Sequence, residues 1–287
     1  MHRLRYLITA TGIVVSLMAK VRASLRVLIS IALTCGSVPV FAVEIADDRG
    51  VSVLLDAPAR RVVALAPHLT EILFHIGGGG RLVGVMDHSD FPAAAQSLPR
   101  VGTHSRLDIE TILALKPDLI VGWGSGNPTE DIALLERLGL PVFISEPRAL
   151  ADISTLMRRL GILIDQASFA RQRAADFENG VNELAVLYSS RRRLRVFYQV
   201  WEQPLYTLNR EHIVSELIAD CGGANIFADL AGLSPVVSLE AVIARDPQVI
   251  VGGSSTDAIP TWVKRWREWP SVKAVRLGQI HVINADH

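Results

Sequence analysis

The chain has 287 residues, 49% of them hydrophobic, with 29 basic and 29 acidic side chains. That length is enough for one large domain or two lobes with separate cores. Five basic and no acidic residues fall in the first 42 positions, leaving 24 basic against 29 acidic groups, a net of −5 that argues against nucleic acid as a partner.

The N-terminus accounts for that asymmetry. "MAKVRASLR" from Met18 is a basic stretch, "VLISIALTCG" a short apolar core, and "SVPVFA" ends on a small residue at Ala42. This is the layout of a secretory signal peptide spanning residues 1–42, with Met18 as the possible true start, a cut after Ala42 and export as the consequence. Lys20, Arg22 and Arg26 leave too short an apolar run for a membrane span. "ALTCG" fits a lipoprotein cysteine poorly because Thr34 precedes Cys35. Once the leader is removed Cys221 is the one cysteine left, so neither an intramolecular disulfide nor a cysteine-rich metal site is expected.

Strands are expected at "RVVAL" (61–65), "LVGV" (82–85), "DLIVG" (118–122) and "PVFIS" (141–145), with helices between them. That alternation predicts a parallel sheet in an α/β lobe over 43–165. Residues 166–190 hold no proline and predict one long helix, with Phe169, Phe177, Val181, Leu184 and Leu187 as its apolar positions. A second α/β lobe follows over 191–287, with strands at "LRVFYQV", "QVIVG" and "IHVIN". The fold class is therefore α/β, two parallel-sheet lobes joined by one long helix.

The lobes repeat each other. "LDIETILALKPDLIVGWGS" from Leu107 is echoed by "VSLEAVIARDPQVIVGGSS" from Val237, with Glu110 over Glu240 and Pro117 over Pro247. Asp108 and Ser238 are expected N-caps. Ile109, Ile112 and Leu113 form the expected core stripe, and each proline ends its helix. "TEILFHIGG" and "SELIADCGG" repeat in the same order, each closing on a glycine suited to a left-handed C-cap.

No nucleotide or catalytic motif competes with this reading. Neither "GGGG" (77–80) nor "GWGSG" has the GxxxxGK(S/T) pattern of a phosphate loop, and neither a serine elbow nor a zinc-protease motif occurs. "WVKRWREW" spaces Trp262, Trp266 and Trp269 for packing within the second lobe.

With these pieces in order, the chain resembles the substrate-binding proteins of ABC importers, in the class that serves siderophores, haem and vitamin B12. "RVVALAPHLTEILFHIG", "VGVMDHSDFP", "LDIETILALKPDLIVGW", "LGLPVF", "ELIADCGGANIF" and "VSLEAVIARDPQVIV" are similar above all to the vitamin B12 (cobalamin)-binding branch, from about Arg60 to the C-terminus. The resemblance implies a monomeric periplasmic protein that is not an enzyme and holds no resident cofactor. Its cargo would be a cobalt corrinoid, or alternatively haem or a ferric siderophore. A free metal-ion receptor and a secreted α/β enzyme are weaker readings. The implied partner is a permease dimer with its cytoplasmic ATPase. In this family an acidic residue on each lobe docks onto permease arginines, and Glu110 and Glu240 match those positions.

The ligand is expected between the lobes, at loops that follow strands. His88, His104, Trp123 and Asn127 are the candidates from the first lobe, Trp201 and Tyr206 from the second, with Asp286 matching a family acidic residue. Asp90 is a lesser candidate, and His68 is expected to be structural. The branch carries tyrosine at the position of His88 and tryptophan at those of His104 and Ser234. This chain offers more imidazole and fewer aromatic faces, so His88 or His104 could meet the metal of a bound complex. Relatives continue past "VINADH" with a closing helix whose cysteine pairs with the one matching Cys221. The resemblance therefore implies that this C-terminal helix is missing and Cys221 is unpaired.

Overall fold

The computed structural model describes residues 42–254 and 258–284, so the expected signal peptide and Asp286 lie outside the described residues. From Ala42 onward the chain forms one compact unit. It opens with an antiparallel hairpin of β1 (Val43–Ala46) and β2 (Ser52–Leu55), which the sequence reading missed because each strand has only four residues. Asp47 closes the turn, its Oδ1 accepting from the amides of Arg49 at 2.8 Å and Val51 at 3.0 Å.

The first lobe then runs β3 (Val62–Ala64), α1 (Pro67–His75), β4 (Leu82–Val85), β5 (Gly102–Thr103), β6 (Arg106–Leu107), α2 (Ile109–Ala114), β7 (Leu119–Trp123), α3 (Thr129–Arg137), β8 (Val142–Ser145) and α4 (Leu150–Leu163). Its sheet has the order β4-β3-β7-β8, every pair parallel. Successive strand residues point to opposite faces, so this sheet builds two cores. Leu119 and Val121 join Leu69, Leu73, Leu156 and Leu160 on one side. Ile120 joins Ile112, Ile132 and Leu135 on the other. Burial on both faces is what a parallel sheet of continuous apolar strands requires.

Asp108 caps α2 as expected, its Oδ1 accepting from Thr111 N at 2.9 Å. The expected stripe needs one correction. Leu113 is 41% exposed, while Ile112 is buried and Ile109 and Leu115 pack beside it. In a helix of six residues the inward face takes every third position, and Leu113 lies about 100° round from Ile112.

The long helix appears as α5 (Ala167–Tyr188), 22 residues or about 33 Å. Its buried residues are Ala170 and Ala174, rather than the large side chains singled out from spacing. Phe177 is partly buried, but Phe169, Leu184 and Leu187 are exposed. The reason is close contact with α4: a Cβ added at Gly161 would lie 2.2 Å from the Ala170 Cβ. Arg158 ties the pair with two bonds to Glu178, at 2.8 and 2.7 Å.

The second lobe comprises β9 (Leu194–Gln199), β10 (Trp201–Glu202), β11 (Leu205–Tyr206), α6 (Ile213–Asp220), β12 (Gly223–Asn225), α7 (Leu239–Arg245), β13 (Val249–Ser254), α8 (Thr261–Arg267), α9 (Lys273–Arg276) and β14 (Ile280–Asn284). Its sheet order, β12-β9-β13-β14, is again all parallel. Each lobe thus places its second strand outside its first and adds the third and fourth on the other side. The two twin stretches, α2 with β7 and α7 with β13, fill the same third position. Ser238 caps α7 through Ala241 N at 3.2 Å, and Gly77 and Gly222 adopt the left-handed conformation at φ 80° and 76°.

Phe197 and Ile250 pack with Val242, Trp262, Val263 and Trp266 in one core cluster, the only one of this lobe among the described residues. Trp269 departs from the packing expected of the tryptophan series and is 39% exposed. Cys221 is free and exposed. The second lobe is pinned to the first where Glu216 Oε2 accepts from Leu150 N at 2.8 Å, at the start of α4.

Candidate functional site

In open parallel sheets, ligands meet the loops that leave the carboxyl ends of the strands. In the first lobe those loops carry, across the sheet from β4 to β8, His88, His68, Trp123 and Glu146. Trp123 is the last residue of β7 and is 37% exposed, so it is not a core tryptophan.

The ring is held from beneath. A Cβ added at Gly126 would lie 1.8 Å from Trp123 Cε3, so only glycine leaves room for the indole in this position. The Trp123 backbone amide donates to Asn127 Oδ1 at 2.7 Å, and Asn127 Nδ2 donates to Leu65 O at 2.7 Å. Asn127 is itself buried. The amide group thus joins the ends of β3 and β7 and positions Trp123.

His68 follows β3 and opens α1 behind Pro67, a residue whose fixed φ suits that helical position. Its imidazole meets the Trp123 ring edge-on, with centroids 5.2 Å apart and planes at 87°. Its Nε2 is buried and without a hydrogen-bond partner. Burial pushes the imidazole down to about 4, against the opposing pull of the Glu146 charge. Glu146 accepts the Ser125 amide at 2.7 Å and donates its own amide to Asp48 at 2.6 Å. Sequence reading gave His68 a structural part and overlooked Glu146. The signal available for both was their place directly after a strand.

His88 is exposed and held at φ 63°, a conformation uncommon for a residue with a side chain. Arg100 fastens this loop, donating to Met86 O at 3.1 Å, Ser89 O at 3.0 Å and Asp90 Oδ1 at 2.7 Å. Asp90 is thereby paired internally. His104 is exposed in the turn between β5 and β6. Among the described residues no three His, Cys, Asp or Glu side chains are grouped to hold a metal ion.

In the second lobe the hairpin of β10 and β11 follows β9 directly and pairs Trp201 with Tyr206. Trp201 is 62% exposed, its Nε1 donating to Gln203 O at 3.1 Å, while Tyr206 is half-buried. Ser234 bonds internally to Thr207 O at 3.2 Å.

Glu110 and Glu240 both lie exposed in the first turn of their helices. Each helix runs antiparallel to the strand after it, so both carboxylates stand at the same edge of their sheets as the strand-end loops. The Glu240 backbone amide, and then the Ser238 hydroxyl, hold the Glu240 carboxyl below the usual carboxylate range.

This architecture has known counterparts. Residues 62–287 match the family described as periplasmic binding protein, and the chain belongs to that family. It is 40% identical over 230 residues to the vitamin B12-binding protein of Vibrio cholerae, covering 80% of this chain and 82% of that one. The vitamin B12-binding protein of Yersinia pestis is 36% identical over 229 residues, covering 79% and 82%. Among solved structures, the periplasmic vitamin B12 binding protein BtuF of Vibrio cholerae superimposes with a TM-score of 0.72 at 38% identity, over 80% of this chain and 89% of that one. The periplasmic heme-binding protein RhuT from Roseiflexus gives 0.70 at 25% identity, over 79% and 89%.

Proposed function

We propose that this protein captures a cobalamin-type corrinoid between its two lobes in the periplasm and delivers it to an ABC importer. The observation that carries this reading is identity of 40%, across both lobes, to a vitamin B12-binding protein. The site chemistry agrees with it. An exposed indole seated on glycine in one lobe, and in the other an exposed Trp201 paired with a half-buried Tyr206, offer apolar faces to a flat macrocycle. The protein acts as a carrier and not as an enzyme. A signal peptide over residues 1–42 sends it across the inner membrane.

Glu110 and Glu240 are the docking groups in this proposal. One carboxylate per lobe, each in a first helical turn, meets two equivalent basic patches on a permease dimer. The cytoplasmic ATPase of that importer drives release into the pore. A second reading, haem as cargo, is favoured by the three imidazoles of His68, His88 and His104 near the strand ends. Calorimetry of the mature protein against cyanocobalamin, haemin and a ferric siderophore panel separates the two. Tight cyanocobalamin binding is expected; heat from haemin alone would replace the corrinoid with haem.

A further inference from the structure

His68 poses a physical problem that the fold does not solve. An imidazole nitrogen buried without a partner loses its hydration and regains nothing, which destabilises the native state. Such a group in a folded protein calls for an explanation. The described structure supplies no partner for His68 Nε2. The imidazole lies at the carboxyl end of β3, an interior strand, in the lobe edge where ligands of such sheets are met. Its neighbour is Trp123, the exposed ring proposed above as a ligand face. His88 and His104, by contrast, are exposed to water and bear no such cost.

We infer that His68 donates an electron pair to a ligand seated on the Trp123 indole, so that Nε2 gains the partner the fold does not supply. The inference rests on the reading of the chain as a receptor for a metal-centred macrocycle. Such a ligand offers two electron-pair acceptors: its metal, where the imidazole nitrogen would displace an exchangeable axial water, and the N–H groups of peripheral amides. A neutral imidazole can serve either, whereas an imidazolium can serve neither. Burial keeps this one neutral across the physiological range.

His68→Phe tests the assignment, because phenylalanine keeps an aromatic ring against Trp123 and removes both nitrogens. Wild type and variant are titrated by calorimetry and visible absorption with diaquocobinamide, whose axial positions exchange, and with dicyanocobinamide, whose axial positions are blocked. The variant is expected to melt at the same or a higher temperature and to bind at least one of these corrinoids about tenfold more weakly. If the metal is the acceptor, the loss is confined to diaquocobinamide and only wild type shifts its absorption bands. If an amide is the acceptor, both forms lose equally and His68→Gln, which restores an acceptor oxygen, recovers most of the affinity. A packing role for His68 would give neither the band shift nor that rescue. Binding of both corrinoids by His68→Phe within about twofold of wild type, or a clear fall in its melting temperature, overturns the inference. Wild type that binds neither corrinoid overturns the receptor reading itself, which is a distinct result.

Discussion

The two lobes share one strand order and one helix–strand unit, yet they are finished differently. The first sheet is buried on both faces, by α1 and α4 on one side and α2 and α3 on the other. The second has a single core cluster, and its other face leaves Val249 and Val251 only half-buried and Ile283 47% exposed. The difference extends to the strand ends. Where β7 ends on Trp123, braced by Gly126 and Asn127, the matching position of β13 is Gly253, with open space around it. A duplicated scaffold has thus placed a rigid aromatic floor in one lobe and a projecting hairpin in the other. Glu110 and Glu240 belong to the part the lobes share, and Trp123 and the Trp201 hairpin to the part they do not.

Charge reversal tests the shared part and carries the largest expected effect. Glu110→Arg with Glu240→Arg is expected to abolish uptake in a transport assay while calorimetric affinity for cyanocobalamin stays within about twofold of wild type. Affinity lost along with uptake would move these glutamates into the ligand site. The unshared part is tested next. Trp123→Ala is expected to weaken cyanocobalamin binding by at least about tenfold, and Gly126→Ala to do much the same by pushing the indole off its seat. Asn127→Ala should leave buried groups at Leu65 and Trp123 unpaired and lower unfolding stability by about 1–3 kcal/mol, read from denaturant melts.

His68 adds a pH dependence that the second lobe has no counterpart for. Its folded value near 4 lies below the usual 6.5 of a histidine, so the unfolded chain binds the proton first as pH falls. Stability is therefore unaffected by this group above about pH 6.5, declines between about 6.5 and 4, and levels off below, by a total on the order of 3 kcal/mol. The same scan of His68→Phe should lack that component. Trp201→Ala is expected to have the smallest effect, a few-fold loss of affinity, because the 62% exposed ring is anchored by one bond to Gln203 O. An effect larger than that of Trp123→Ala would reverse the assignment of roles to the lobes.

Apolar runs and prolines made the sheets legible from sequence: Leu82–Val85 and Ile280–Asn284 fall where the strands were expected, and Asp108 and Ser238 cap as their positions suggested. Spacing misled along α5, where helix–helix approach at Gly161 and Ala170 is set by small side chains that a search for large apolar ones passes over. The short hairpins escaped because two-residue strands carry no period. At the site, Trp123 and Trp201 were visible as aromatics in glycine- or proline-rich turns. The bond from Asn127 to Leu65 O spans 62 residues, and no local pattern carries it. The unpartnered nitrogen of His68 likewise depends on tertiary burial, which no local pattern carries.

The central claim is that one ligand is held by both lobes at once, through their strand ends. Amide hydrogen exchange with and without saturating cyanocobalamin measures this directly. The account predicts joint protection of residues 86–90, 122–127 and 200–206, with the interiors of α5 and α9 unchanged. Protection confined to one lobe, or found away from the strand ends, would contradict it.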